Sequence, residues 1–198
     1  IIVPFLVSGA SLRSVASMRR DFPISPGEML MLDVTNFTAP CSLDPGAPVA
    51  CPQSSGYPLP TSLGGIRLTV NDIDAPLLLV LPGQVRFLVP FEVQGTQARI
   101  VVYRQGVPAP PLIRDLQQQS LGVFTLNDTG SGPGHIFHAD ASLVSAAAPL
   151  QPEETFTVLA GGLGAVDPQV PSGAAGPDSP RSAVTNPVQA LLDGAECI

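Results

Sequence analysis

Few side chains in this sequence have both the type and the spacing that chemistry needs. The two histidines fall together in His135-Ile-Phe-His138. On a strand, positions three apart point to opposite faces, so these rings cannot easily share a metal ion. The pair also lacks a nearby third ligand, and its reading is a strand edge or loop. Asn71-Asp72-Ile73-Asp74 offers carboxylates to Ca²⁺ but falls short of the ligand count of a calcium loop. Asn-Asp between apolar runs is ordinary hairpin chemistry. Glu153 and Glu154 are adjacent carboxylates; at a strand start they point apart, unlike the pair flanking a scissile glycosidic bond. Nucleophilic catalysis finds no Gly-x-Ser-x-Gly elbow, and neither histidine has a recognisable base context. Gly161-Gly162-Leu163-Gly164 is glycine-rich, but no helix follows it, as a phosphate cradle requires. The residues assign no catalytic, cofactor or metal site, and the chain reads as a non-enzyme.

Three cysteines remain: Cys41, Cys51 and Cys197. Cys41 and Cys51 enclose Asp44-Pro45-Gly46, a strong turn signal that brings the two thiols together. Two unrelated buried thiols are the alternative, but a polar, turn-rich loop favours a disulfide, and with it an oxidising, extracytoplasmic location. Cys197 is left over. Two sequons, Asn36-Phe-Thr38 and Asn127-Asp-Thr129, are candidate glycosylation sites in expected loops.

The elements that must position these residues are strands. The chain carries 23 prolines, 19 glycines, nine cations that are all arginine, and a 44% hydrophobic fraction. Proline and glycine are spread throughout, so few windows can hold an uninterrupted helix. Short Val, Ile, Leu and Thr runs between them read as strands and turns. The net charge of −7, with no basic cluster larger than Arg19-Arg20, opposes binding to nucleic acid or an anionic membrane surface. No apolar run reaches the roughly 20 residues of a membrane span.

Strands are expected at Glu28–Val34, Ile66–Asn71, Leu77–Leu81, Val85–Pro90, Ala98–Tyr103 and Pro111–Leu116. Their number and spacing suit an immunoglobulin-like sandwich over residues 23–126. Residues 127–152 read as a glycine-rich connection, with a small hairpin at Ile136–Val144. The sequence also repeats itself. Pro23-x-x-Pro26-x-Glu28 recurs 126 residues later as Pro149-x-x-Pro152-x-Glu154, each followed by an apolar run. Leu68-Thr-Val70-Asn71-Asp72 resembles Gln189-Ala-Leu-Leu192-Asp193 at an interval of 121. Two copies of one strand-rich unit follow from this, the second spanning 153–198 and lacking strands that the first one has. Residues 1–22 form an apolar N-terminal segment. Within it Ile1, Ile2, Val3, Phe5, Leu6 and Val7 are candidates for a strand donated to the unfinished unit, within the chain or between copies.

Several runs resemble a known family. They are Leu59-Pro-Thr-Ser-Leu-Gly-Gly65-Ile-Arg-Leu-Thr-Val-Asn71, Ala75-Pro-Leu77, Pro82-Gly-Gln-Val85, Val89-Pro90, Gly162-Leu-Gly-Ala-Val-Asp-Pro168 and Gly173-Ala-Ala. The family is the uncharacterised Solibacter C-terminal domain of secreted bacterial proteins, built from tandem immunoglobulin-like IPT/TIG units, and the resemblance covers residues 8–198. It implies an extracellular or cell-surface location, a pair of β-sandwiches, and no catalytic residues to carry over. In the family the second unit continues past the equivalent of Ile198. The chain departs from the pattern in the Cys41–Cys51 insertion, in Asp72 where the family favours Gly, and in the apolar leader ahead of Ser8.

The expected architecture is therefore all-β, two immunoglobulin-like units in tandem with the second incomplete. The expected function is a structural or interaction module with protein partners or copies of itself, and without a cofactor. Assembly into a filament by strand complementation is the sharper form. A spacer or carbohydrate-binding appendage of a secreted enzyme is the alternative. The absence of Trp, with Tyr57 and Tyr103 the only tyrosines, weakens sugar stacking.

Overall fold

A computed structural model describes residues 12–20, 22–35, 41, 50–192 and 195–196. Every regular element among them is a strand, and no helix there is long and apolar enough to cross a membrane. The first ten strands are β1 (Leu12–Ser14), β2 (Met29–Asp33), β3 (Ser62–Leu63), β4 (Ile66–Val70), β5 (Ile73–Asp74), β6 (Leu77–Leu81), β7 (Gln84–Leu88), β8 (Gln97–Arg104), β9 (Val107–Pro108) and β10 (Leu112–Asp115). They build two antiparallel sheets, one ordered β1-β2-β7-β6 and the other β10-β8-β4-β3, with β5 beside β4 and β9 beside β8.

The sheets face each other because their strands alternate. In β7, Val85 and Phe87 are buried while Gln84, Arg86 and Leu88 turn away from the core. In β8, Ala98, Ile100 and Val102 are buried between exposed Gln97 and Arg99. Leu30, Leu32, Leu77 and Val80 join them from the first sheet, and Ile66, Leu68, Val70 and Leu112 from the second, in one core. The all-β sandwich architecture expected from the sequence is present, and five of the six expected strands match within one residue at each end; the sixth, Val85–Pro90, ends two residues earlier, at Leu88.

The sandwich starts earlier than the boundary at residue 23. Leu12–Ser14 pairs with β2 in the register Leu12↔Leu32 and Ser14↔Leu30, and Leu12 and Phe22 lie in the core. Arg13 grips Asp33 across this edge with both carboxylate oxygens, at 2.8 and 3.0 Å. Three residues carry too little alternation to register as a strand in the sequence, so the tertiary pairing decides this element.

The rest of the chain forms short ladders: β11 (Gly122–Val123), β12 (Ile136–His138), β13 (Phe156–Val158), β14 (Ala160–Gly161), β15 (Val166–Asp167), β16 (Ala183–Val184), β17 (Leu191–Leu192) and β18 (Ala195–Glu196). They pair as β11-β14, β12-β13, β15-β16 and β17-β18. Residues 122–123, placed in the first unit by the sequence, pair with 160–161 instead. The hairpin over 136–144 forms, with a Phe137↔Leu143 bridge, and β12 uses its other edge for β13. Residues 127–134 close a turn in which Leu126 N–H donates to Pro133 O at 2.9 Å.

Among the described residues, the contacts that fasten this second part to the sandwich include those of Ser172 and Ser120. Ser172 donates from Oγ to Glu92 Oε2 at 2.5 Å and accepts the Phe91 N–H at 2.7 Å. Ser120 N–H donates to Gly162 O at 2.8 Å. Gly162 has φ +74°, and a Cβ there would overlap the Ser120 carbonyl. The glycine-rich 161–164 run thus serves backbone-to-backbone packing.

Candidate functional site

The repeated Pro-x-x-Pro-x-Glu sequence is a repeated structure. In Ser25-Pro26-Gly27-Glu28, Glu28 N–H donates to Ser25 O at 3.2 Å and Glu28 Oε2 accepts the Ser25 N–H at 3.1 Å. In Gln151-Pro152-Glu153-Glu154, the corresponding distances are 3.2 and 2.9 Å. Pro at the second position and a left-handed third residue, Gly27 at φ 72° and Glu153 at φ 65°, are the pattern of a type II turn. Gly27 also has no room for a Cβ, which would overlap the Phe91 ring. Each turn feeds a strand that pairs antiparallel with an earlier one, β1-β2 in the first copy and β12-β13 in the second. The last residues of those earlier strands, Ser14 and His138, sit opposite Leu30 and Phe156 and face the two glutamates.

His138 is the one charged cluster this produces that resembles a catalytic group. Its Nδ1 meets Glu154 Oε1 at 2.5 Å and its Nε2 meets Ala148 O at 3.2 Å. Both partners are acceptors, so both ring nitrogens donate and the ring is held as imidazolium. The Glu154 hydrogen bond raises the His138 pKa; desolvation opposes this, and the Ala148 carbonyl assists. Glu154 is held below the usual carboxylate range by the Gln151 N–H first and by His138 second. Asp140 is lowered in the same way by the Ser142 hydroxyl and N–H, at 2.6 and 2.9 Å. A general base needs a nitrogen free to take a proton from a substrate, and Ser142 gives its hydroxyl to Asp140 rather than to His138. This geometry makes a clip that ties β12 to β13 and to the turn at Ala148. His135 goes elsewhere, stacking on Phe137 with centroids 6.1 Å apart.

Asn71 and Asp72, at φ 49° and 63°, form the two-residue turn joining β4 to β5 through the Val70↔Ile73 pair. Their polar groups are satisfied locally. Asn71 Oδ1 accepts the Arg99 N–H at 2.7 Å, Asp72 pairs with Arg99 at 3.2 Å, and Asp74 pairs with Arg67 at 2.6 Å. Arg67 also lies 4.7 Å above the Tyr103 ring. The carboxylates thus face arginines instead of converging on a cation. In the second part, Leu192 pairs with Ala195 across β17-β18.

Cys41 and Cys51 are joined as a disulfide, with Cα atoms 4.7 Å apart. Cys51 is buried, and the residues after it cover the β6 edge: Val80 N–H donates to Pro52 O and Ser54 N–H to Leu78 O, both at 2.9 Å. Asn127 occupies an exposed turn in which its Oδ1 accepts both the N–H and the hydroxyl of Thr129, at 3.3 and 2.8 Å. Asn36, Cys197 and the apolar run Ile1, Ile2, Val3, Phe5, Leu6 and Val7 lie outside the described residues. No group of three metal-ligating side chains occurs among those described.

What distinguishes the second part is its surface. Leu121, Leu126, Val158, Leu159 and Leu191 are exposed, whereas the hydrophobic core cluster is drawn from the first sandwich, which itself exposes Val107 and Ile113. Strand β2 is flanked by β1 and β7; its counterpart β13 belongs to a two-stranded sheet with β12. Open clefts lie beside β10 (about 240 Å³, lined by Phe22, Pro23, Ile113, Arg114 and Asp115) and beside Leu121 and Leu163 (about 130 Å³). Both are smaller than the few hundred Å³ of a typical small-molecule site. Compared with known proteins, the chain matches no family model, no curated protein and no solved structure.

Proposed function

We propose that the chain is a non-enzymatic extracellular structural or interaction module of a bacterial secreted or surface protein, working by protein–protein contact. The observation that carries this reading is the uneven distribution of polar and apolar groups. The candidate catalytic side chains are consumed in clips and turns of their own, while exposed apolar side chains gather between Leu121 and Leu191. The Cys41–Cys51 bond suits an oxidising compartment.

The two-stranded β12-β13 ladder favours a specific mode of contact. Where β2 has β7 on its second edge, β13 has no second neighbour among the described residues, and this reading gives that edge to an incoming strand. The apolar run Ile1–Val7 of a neighbouring copy is the donor this reading names, and head-to-tail donation builds a filament. Light scattering and electron microscopy of the purified chain test it. Concentration-dependent oligomers that dissolve on deletion of residues 1–7, or on addition of the free seven-residue peptide, are expected. A monomer at all concentrations sinks the filament. A spacer or sugar-binding role would instead leave the chain monomeric, the latter with measurable retardation on polysaccharide gels.

A further inference from the structure

We infer that the Glu28 carboxyl is a proton-controlled latch that holds the second repeat against the first sandwich. Glu28 is 0% exposed. Its Oε2 accepts the Ser25 N–H at 3.1 Å, but Oε1 is buried without a hydrogen-bond partner. Two hydroxyls face the carboxyl, those of Ser14 and Ser120. They belong to opposite walls of the junction.

Ser14 ends β1 and opens the turn on which the second part rests. Its Oγ accepts the Ser17 N–H at 3.4 Å, and its carbonyl accepts the Met18 N–H at 3.1 Å. Gly122 packs on that turn so closely that a Cβ would stand 2.9 Å from Ser17 N, and a Cβ on Gly130 would overlap the Ser17 carbonyl. Ser120 lies on the segment that leaves the sandwich, and its N–H is bonded to Gly162 O. The carboxyl therefore sits between the platform turn and the segment docked on it.

A buried carboxylate charge is costly, and the cost falls if Oε1 carries a proton, which it can donate to one of the facing hydroxyls. Burial also pushes the Glu28 pKa up to about 7, against the opposing pull of the Ser25 N–H, the two hydroxyls and the Arg19 charge. Arg19, from the segment after β1, is the charged group acting on it. Protonated, Glu28 joins the walls; ionised, it is a buried anion that draws in water and parts them.

Hydrogen exchange on the full chain, corrected for intrinsic rates, tests the latch between pH 5.5 and 8.5. Protection of the Ser120 amide, bonded to Gly162 O, should fall about tenfold as the pH rises. The β8 amides, in the core of the sandwich, should keep theirs. Glu28→Gln, which keeps an acceptor for Ser25 and gains a donor, should stay protected at both pH values. Ser120→Ala, which removes a hydroxyl that favours the anion but leaves Glu28 buried, should keep the pH dependence and move its midpoint upwards, and it decides the matter alone if Glu28→Gln does not fold. Wild-type protection that does not change with pH overturns the latch. So does a pH-dependent loss that survives unchanged in either variant.

Discussion

Glu154 occupies in the second repeat the position that Glu28 occupies in the first, and the two carboxylates live under opposite rules. Each folds back on the N–H three residues upstream, at 2.9 and 3.1 Å, and each faces the end of the preceding strand. Glu28 is sealed in with hydroxyls, whereas Glu154, with 22% of its side chain exposed, is met by an imidazolium. One turn sequence thus yields a carboxyl that resists ionisation and a carboxylate that is ionised and paired. What separates them is burial first, which raises Glu28, and then the residue across the strand pair, His138, which helps to lower Glu154.

The first prediction follows from burial. Glu28 titrates near 7 when folded and near 4.5 when unfolded, so the folded chain binds the extra proton between those values. Stability is highest at or below pH 4.5, declines as the pH rises to about 7, and is level beyond. The contribution of this residue is on the order of 3 kcal/mol at 1.36 kcal/mol per pKa unit. Urea unfolding of wild type and Glu28→Gln at pH 4.5 and 7.5 isolates it, because the difference between the proteins cancels other titrations. Equal pH slopes in the two would show that Glu28 ionises as freely folded as unfolded.

The His138 clip runs in the same direction for a different reason. Its pKa is raised, so its stabilisation is complete below the unfolded value near 6.5 and is lost as the pH climbs through the folded value. An NMR titration of the His138 ring should give a midpoint above 6.5, returning towards 6.5 in Glu154→Gln.

Much of the first sandwich was legible in the sequence, since β7 alternates along its five residues and β8 over its first four, before Val101 and Val102 are both buried. The Asn71-Asp72 turn and the Cys41–Cys51 bond carried their own local signals. The second half did not, because strands of two or three residues hold no period and are defined by partners far along the chain. The Pro-x-x-Pro-x-Glu match foretold a repeat but not the carboxylate's role. That role depends on burial and, in the second copy, on His138, neither of which the motif carries. Nor does any local pattern mark Ser172, whose three bonds reach Phe91 and Glu92, some eighty positions earlier.

Replacing Cys51 tests the loop closure. The Cys41–Cys51 bond spans a sequence separation of 10, and opening a loop of that size relaxes the unfolded chain by about 3 kcal/mol in the entropy model. Cys51→Ser should lower the urea midpoint by a corresponding amount. Alkylation followed by mass measurement should add one group to the unreduced wild type, at Cys197, and three after reduction. Three additions without reduction would deny the bond.

Two glycine substitutions separate packing from backbone freedom. Gly162 combines φ +74° with direct contact on the Ser120 carbonyl, so Gly162→Ala must both strain the backbone and push the second part off the sandwich. A loss of at least about 2 kcal/mol is expected, with increased exchange at Ser120 and Phe124. Gly176 has nothing within 4 Å of its Cβ position and does not adopt the left-handed conformation. Gly176→Ala should therefore be neutral, or stabilising by up to about 1 kcal/mol through the unfolded chain. Thermal unfolding of both variants, followed by tryptic cleavage after Arg114 and Arg181, places any loosening along the chain. If the second part is fixed mainly by the Ser172–Glu92 contact, Gly162→Ala will leave cleavage unchanged and Ser172→Ala will accelerate it. If the Ser120–Gly162 joint dominates, the order reverses.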